Sequence, residues 1–272
     1  MKKYLSAASL IGLVLTTFFY INHSLTLVES LLYVSMTVYL PLHFILSGDN
    51  HKVFRLILLA YPPGVLAAYL ALVSSRMAII WLIFCVFLAA YGVFRFFTRG
   101  GYYVEETLID VSYIYMGIGG LWYVVYMMDG ELFGFSGLVA LLTAIHFHYS
   151  SLYVPLFTGL FGRIIKNERT LPAWYQWMSA MIMISPILIA AGITYSRIAE
   201  VISVSLFVLA LLVYGIMSLI IKNWLINLSS LLLIFSMVMA FLYAIRVVDI
   251  PFMIDAHGLV NAIGFVGLGM IG

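Results

Sequence analysis

Apolar runs of about twenty residues, separated by brief polar connections, recur along the whole of this sequence. A run of that length matches a hydrocarbon layer about 30 Å thick when wound as a helix. Backbone groups in such a layer must bond to one another, which leaves helices or closed barrels. Barrel strands alternate apolar and polar residues, and runs such as "LIGLVLTTFFY" and "MAIIWLIFCVFLAAY" do not. Composition agrees, with 65% hydrophobic and 9% charged residues in 272 and a mean hydropathy of +1.14. Soluble domains carry about a quarter charged residues. The expected fold is therefore all-α, a polytopic transmembrane helix bundle. Ten spans are predicted, over 4–21, 25–46, 55–73, 77–95, 105–127, 136–157, 173–194, 199–221, 225–245 and 253–272, or nine if the short last one is discounted. Connections are too brief for a separate soluble domain, so residues 1–272 read as a single integral-membrane helical domain.

Charge placement orients the bundle. Under strict alternation, Lys2, Lys3, Lys52, Arg55, Arg95, Arg99, Arg163, Lys166, Arg169 and Lys222 fall on one side. Only Arg76, Arg197 and Arg246 fall on the other. Cytoplasmic loops carry the excess of Lys and Arg, so the N-terminus is expected in the cytoplasm. The basic residues are accounted for by topology, and no nucleic-acid partner is expected. The lone Cys85 excludes a disulfide within the chain. "MKK" before an apolar run suggests a signal peptide, yet "TTFFYINH" offers no small-x-small cleavage pattern, so the run reads as the first span.

Several spans carry helix-breaking residues: Pro62 and Pro63 in the third, Pro186 in the seventh, and Gly117, Gly119 and Gly120 in the fifth. These read either as ordinary kinks and packing contacts or as hinges around a midplane site. No internal repeat is evident.

Polar residues inside the spans are the informative exceptions. "TAIHFHYSSLYV" places His146 and His148 about 10 to 12 residues into the sixth span, near mid-bilayer. Two residues apart on a helix they point about 200° apart, so they cannot clamp one ion without local unwinding. Pro155 weakens the backbone ladder near Ser151. Phase groups His146 with Thr143, Tyr149, Ser150 and Tyr153. In the last span, "IDAHGLVNAIGF" aligns His257, Asn261 and Gly264 on one face, with Asp255 as helix cap or site residue. In the fifth, "YYVEETLIDVSYIY" spaces Glu106 and Asp110 i,i+4, with Asp110 about a turn and a half inside the cytoplasmic face. Glu29 and His43 lie near opposite ends of the second span. Intramembrane ionisable residues usually face the bundle interior and mark function, whereas a lone neutral histidine often serves as interhelical glue.

No HExxH, GxSxG, CxxC or Gly-rich phosphate loop is present. A metal reading would enlist His146, His148, His257 and Asp255 or Asp110, but the phase of the first pair opposes it; no metal and no cofactor is expected. "HFHY", "EETLIDVSYIYMGIGGLW" and "DAHGLVNAIGF" together resemble the YndJ-like family of bacterial multi-pass membrane proteins. The resemblance runs from the basic loop near Lys52 to the C-terminus, and "HFHYSS" departs from it where a small or apolar residue is expected soon after the tyrosine. It implies a bacterial cytoplasmic-membrane location and a bundle in which these motifs matter. The expected function is a transporter whose intramembrane site, drawn from His146, His148, Tyr149, Asp110, Asp255, His257 and Asn261, takes a small or lipid-like solute. The alternative is an intramembrane enzyme acting by general acid/base chemistry on a lipidic or isoprenoid substrate. Membrane lipids and that solute are the partners expected; the sequence assigns no oligomeric state.

Overall fold

The computed structural model describes residues 2–49, 51–166 and 170–272, so Arg169, one of the basic residues tallied above, lies outside the described residues. Among the described residues ten helices are long and apolar enough to cross a membrane: α1 (Lys2–Ile21), α2 (Leu27–Ser47), α3 (Lys52–Leu70), α4 (Ser75–Thr98), α5 (Val104–Met127), α6 (Gly137–Ile165), α7 (Ala173–Tyr195), α8 (Arg197–Ser218), α9 (Trp224–Ala244) and α10 (Ile250–Ile271). No strand occurs among the described residues, apart from an isolated bridge between Leu132 and Phe135 in the α5–α6 connection. The fold is an all-helical, multi-pass membrane bundle.

Local chemistry explains where several helices start. Thr26 and Glu29 form a reciprocal capping box at the head of α2. Asn223 caps α9, and Asp249 caps α10 by accepting from the Phe252 N–H at 3.0 Å. The cap expected of Asp255 therefore falls to Asp249, because α10 begins a turn earlier than the sequence pattern suggests. Pro62 and Pro63 stay inside a continuous α3, both on its exposed side.

Two compact units divide the chain, one up to Leu156 and the other from Phe157 onward. In the first, α2 is the most buried span, and α4 packs against α5. Glycine makes that approach possible: a Cβ on Gly92 would stand 2.6 Å from the Asp110 carbonyl oxygen, and one on Gly120 2.7 Å from Cys85 Cβ. In the second unit α7, α8, α9 and α10 pack in sequence order. Gly264 lies against Leu232, and Ser229 donates to the Phe265 carbonyl at 2.7 Å, which seats α10 along α9.

Among the described residues four spans depart from α-helical winding, α4 only in a 3-10 turn at its start, Ser75–Met77. α2 widens to a π-helical turn over Ser35–Tyr39, and α10 does so over Ile254–Gly267. α6 is two helices, Gly137–Tyr149 and Tyr153–Ile165, joined through a turn at residues 150–152. That span ends at Ile165, not near residue 157, because "FTGLFGRII" continues the apolar run.

Candidate functional site

The midspan turn of α2 is held open by its neighbours. A π-helical turn shifts the backbone bonding by one residue and releases carbonyls; in a membrane these need other donors. Ser9 of α1 donates to the Val38 carbonyl at 2.9 Å. Tyr61 of α3 donates to the Met36 carbonyl at 3.0 Å. Tyr153 of α6 donates at 2.9 Å to the Ser35 carbonyl, which also accepts the Leu40 N–H within the turn. Ser35 Oγ in turn donates to the His148 carbonyl and lies 2.8 Å from the Tyr153 hydroxyl. The widened turn of α2 and the break of α6 are thus bonded to each other, each near the middle of its helix.

His148 is fully buried. Its Nδ1 lies 2.8 Å from the Ala144 carbonyl, and its Nε2 takes a long 3.4 Å contact from the Trp81 indole N–H. The carbonyl fixes the proton on Nδ1 and leaves Nε2 as the acceptor. His146, two residues earlier, points the other way: it is exposed and sets Nδ1 2.7 Å from the Leu142 carbonyl. Tyr149 sits on the buried side, donating to the Leu31 carbonyl at 2.8 Å, rather than grouping with His146.

Asp110 has a different setting. It is fully buried and ion-paired with both Arg95, at 2.6 Å, and Arg99. Arg95 also reaches Glu106 at 2.5 Å and Asp49 at 2.9 Å, and Tyr91 donates to Asp49 at 2.5 Å. One guanidinium therefore ties the α2–α3 connection and α4 to α5. The helical hairpin of α4 and α5 sets Arg95 and Arg99, spaced i,i+4, opposite Glu106 and Asp110, also spaced i,i+4. Two such pairs flanking a short connection are the sequence signal for this cluster, since an antiparallel hairpin brings them level.

Asp110 and His148 do not meet. His148 Nδ1 is 2.8 Å from where a Cβ on Gly119 would stand, nine residues and roughly 13 Å along α5 from Asp110.

In the second unit His257 Nδ1 lies 2.9 Å from Ser236 Oγ and 3.0 Å from the Ser236 carbonyl. Asn261 Nδ2 rests over the imidazole, 3.3 and 3.2 Å from its two nitrogens. Both side chains are half-buried, and Asp255 is exposed. Ser236 completes this group and carries no motif of its own. An open apolar groove of about 280 Å³ lies on α8 and α9, between Ser205, Val208, Leu209, Leu212, Val238 and Phe241. None of the predicted site residues lines it. Among the described residues no three His, Cys, Asp or Glu side chains converge as a metal cage requires.

A family described as YndJ-like protein matches residues 30–265, most of the chain. The chain is also 36% identical over 226 residues to the uncharacterized membrane protein YndJ of Bacillus subtilis (strain 168), covering 78% of this chain and 41% of that protein. It belongs to the YndJ-like family. The chain spans about two-fifths of the length of the Bacillus relative. No solved structure matches it. Within the YndJ-like match fall the π-helical turn of α2, the whole of α6, the Arg95 cluster and the His257 group.

Proposed function

We propose that this YndJ-like protein is a transporter of a small or lipid-like solute in the bacterial cytoplasmic membrane, with its N-terminus in the cytoplasm. One observation carries the reading: the π-helical turn of α2 and the break of α6 lie at midspan and are joined through Ser35, Tyr153 and the His148 carbonyl. Discontinuous helices that meet at the midplane are where transporters place their sites and their moving joints. The two halves of α6 pivot at residues 150–152, and breaking the Ser35 contacts opens the space beside His148 and Tyr149. Arg95 and Arg99, on Asp110, Glu106 and Asp49, act as the gate on the cytoplasmic side. Asp255, His257 and Asn261 are the polar lining of the second unit. The enzyme reading needs an acid and a base at one point, and Asp110 and His148 are held apart along α5 with their polar atoms engaged.

The test compares small molecules and lipids in cells and in medium by mass spectrometry. Strains expressing the wild type, Ser35→Ala or His148→Ala are matched for protein in the membrane. A compound that is chemically unchanged but shifts between cell and medium only with the wild type is the expected result. A compound altered in structure only with the wild type overturns the transporter and identifies a reaction. Identical pools in all strains overturn it as well.

A further inference from the structure

Along α2, from end to end, almost every turn carries a polar side chain with a partner on another helix. At the N-terminal end Glu29 accepts from the Tyr126 hydroxyl at 2.7 Å. Next come Tyr33 and Tyr123, hydroxyl to hydroxyl at 2.8 Å. Thr37 then meets Thr16 at 3.3 Å, and Thr16 meets Tyr69 at 2.8 Å, beside the Ser35–Tyr153 pair. Beyond midspan His43 meets Ser112 at 3.0 Å, and Ser47 accepts from Tyr113 at 2.8 Å. Asp49 closes the series against Tyr91 and Arg95. Glu29 and Asp49 are twenty residues apart, roughly 30 Å of helix, which is the thickness of the hydrocarbon core. A carboxylate stands at each end and hydroxyls stand between.

Packing alone does not require this series. Apolar side chains satisfy a helix interface without desolvating any polar group. Hydroxyls are the groups that both give and accept a proton, and a tyrosine or serine ladder between two carboxylates has the composition of a proton path.

His43 is its only imidazole and the one group with an open position. It is fully buried. Ser112 Oγ donates to the Ile109 carbonyl at 2.7 Å. A hydroxyl has one proton, so Ser112 is the acceptor and His43 Nε2 carries the hydrogen. The lone pair therefore sits on Nδ1, which has no hydrogen-bond partner. An unsatisfied buried polar atom costs about 1–3 kcal/mol, and this one is the lone-pair nitrogen of a ring that can take up a proton. Facing the ring are Tyr113 of α5, centroids 4.9 Å apart, and Tyr153 of α6 at 6.3 Å. Tyr61 of α3 lies behind Phe44, and Arg95 is the charged group whose field reaches the ring. Tyr153 belongs to the midspan group and Tyr113 to the cytoplasmic one, so His43 stands between the two halves of the series.

We propose that this series is a transmembrane proton path with His43 as its relay, so that the transport inferred above, on which the coupling rests, is driven by proton movement. A proton arriving at Nδ1 makes the imidazolium. Loss of a proton from Nε2 or from Nδ1 returns the neutral ring, and the charge moves on toward the carboxylates at one end or the other. No electron is transferred and no other bond is made or broken.

The test uses the full chain in sealed liposomes with a pH-sensitive dye inside, a potassium diffusion potential set by valinomycin, and no solute added. The wild type is expected to raise the initial rate of internal pH change several-fold over protein-free liposomes. His43→Gln keeps a donor for Ser112 but cannot titrate; it is expected to return the rate to the protein-free level while eluting as the wild type does in detergent. His23→Gln, on the exposed α1–α2 connection, is expected to conduct like the wild type. A wild-type rate equal to that of protein-free liposomes overturns the path, and so does a His43→Gln rate equal to the wild type. If His43→Gln elutes as aggregate, His43→Asn is read in its place against the same two rates. Solute redistribution without proton flux sinks the path and spares the transporter; flux without any moving solute does the reverse.

Discussion

Asp110 is the residue whose surroundings are most demanding. A fully buried carboxylate between two guanidinium groups has lost its hydration, and only the ion pairs offset that loss. Removing it leaves Arg95 and Arg99 facing each other with one shared counter-charge fewer. Asp110→Ala is therefore expected to lower stability by about 3–5 kcal/mol, read as a shift in the midpoint of unfolding in sodium dodecyl sulfate mixed micelles. Glu106→Gln touches the same Arg95, but the glutamate side chain is 20% exposed. Its loss is expected to cost about 1 kcal/mol or less. Equal effects of the two would show that burial does not set the strength of this cluster. The sequence marks Asp110 as a residue with a purpose, since a charge inside a span is rarely idle. It also spaces both pairs at i,i+4. What it does not mark is Asp49, which reaches Arg95 from another helix end through a contact that no local pattern encodes.

Element by element, the helices were the most legible part of this protein. Ten apolar runs read as ten spans because hydrophobicity alone decides which segments enter the bilayer, and chain order settles the rest. Winding was less legible. A period of 3.6 residues is assumed when phase is read from sequence, and α2 and α10 abandon it over Ser35–Tyr39 and Ile254–Gly267. The break of α6 was partly written in Pro155. The hydroxyls that stabilise the α2 turn come from α1, α3 and α6, so no single segment announces it. His146 and His148 do lie on opposite sides of α6, as their spacing requires, whereas Tyr149 and Tyr153 turned inward because their hydroxyls find carbonyls on α2. The contact between α4 and α5 allows a direct check on packing. Gly92→Ala would press a methyl against backbone, the Asp110 carbonyl, which cannot rotate away. A loss of about 1–3 kcal/mol is expected in the same unfolding assay. Gly117→Ala meets only Ala89 Cβ, at 3.3 Å, and should lose clearly less. If the two variants unfold together, the close approach at Gly92 is not what holds the hairpin.

At the scale of the molecule, orientation is the property on which both the proposed gate and the proposed proton path depend, because each assigns a sense to the membrane. Under the strict alternation expected from the sequence, ten spans would return the C-terminal end of α10 to the side on which α1 starts, and most of the basic residues would fall on that side. The α5–α6 connection should then face outward and the α8–α9 connection inward. Asp129 and Lys222, both exposed, sit in those two connections. The native Cys85 is fully buried, so a thiol added at either position is read against a silent background. In intact cells a membrane-impermeant maleimide is expected to label Asp129→Cys, and to reach Lys222→Cys only after the membrane is opened. The reverse pattern would invert the bundle: the Arg95 cluster would become an outer gate, and Glu29, not Asp49, would face the cytoplasm. Labelling of both from outside would break the alternation itself, because the three spans between them, α6, α7 and α8, place the two connections on opposite sides only if each crosses. The same pair of thiols thus tests the span count and the direction of the path together, with no knowledge of the solute.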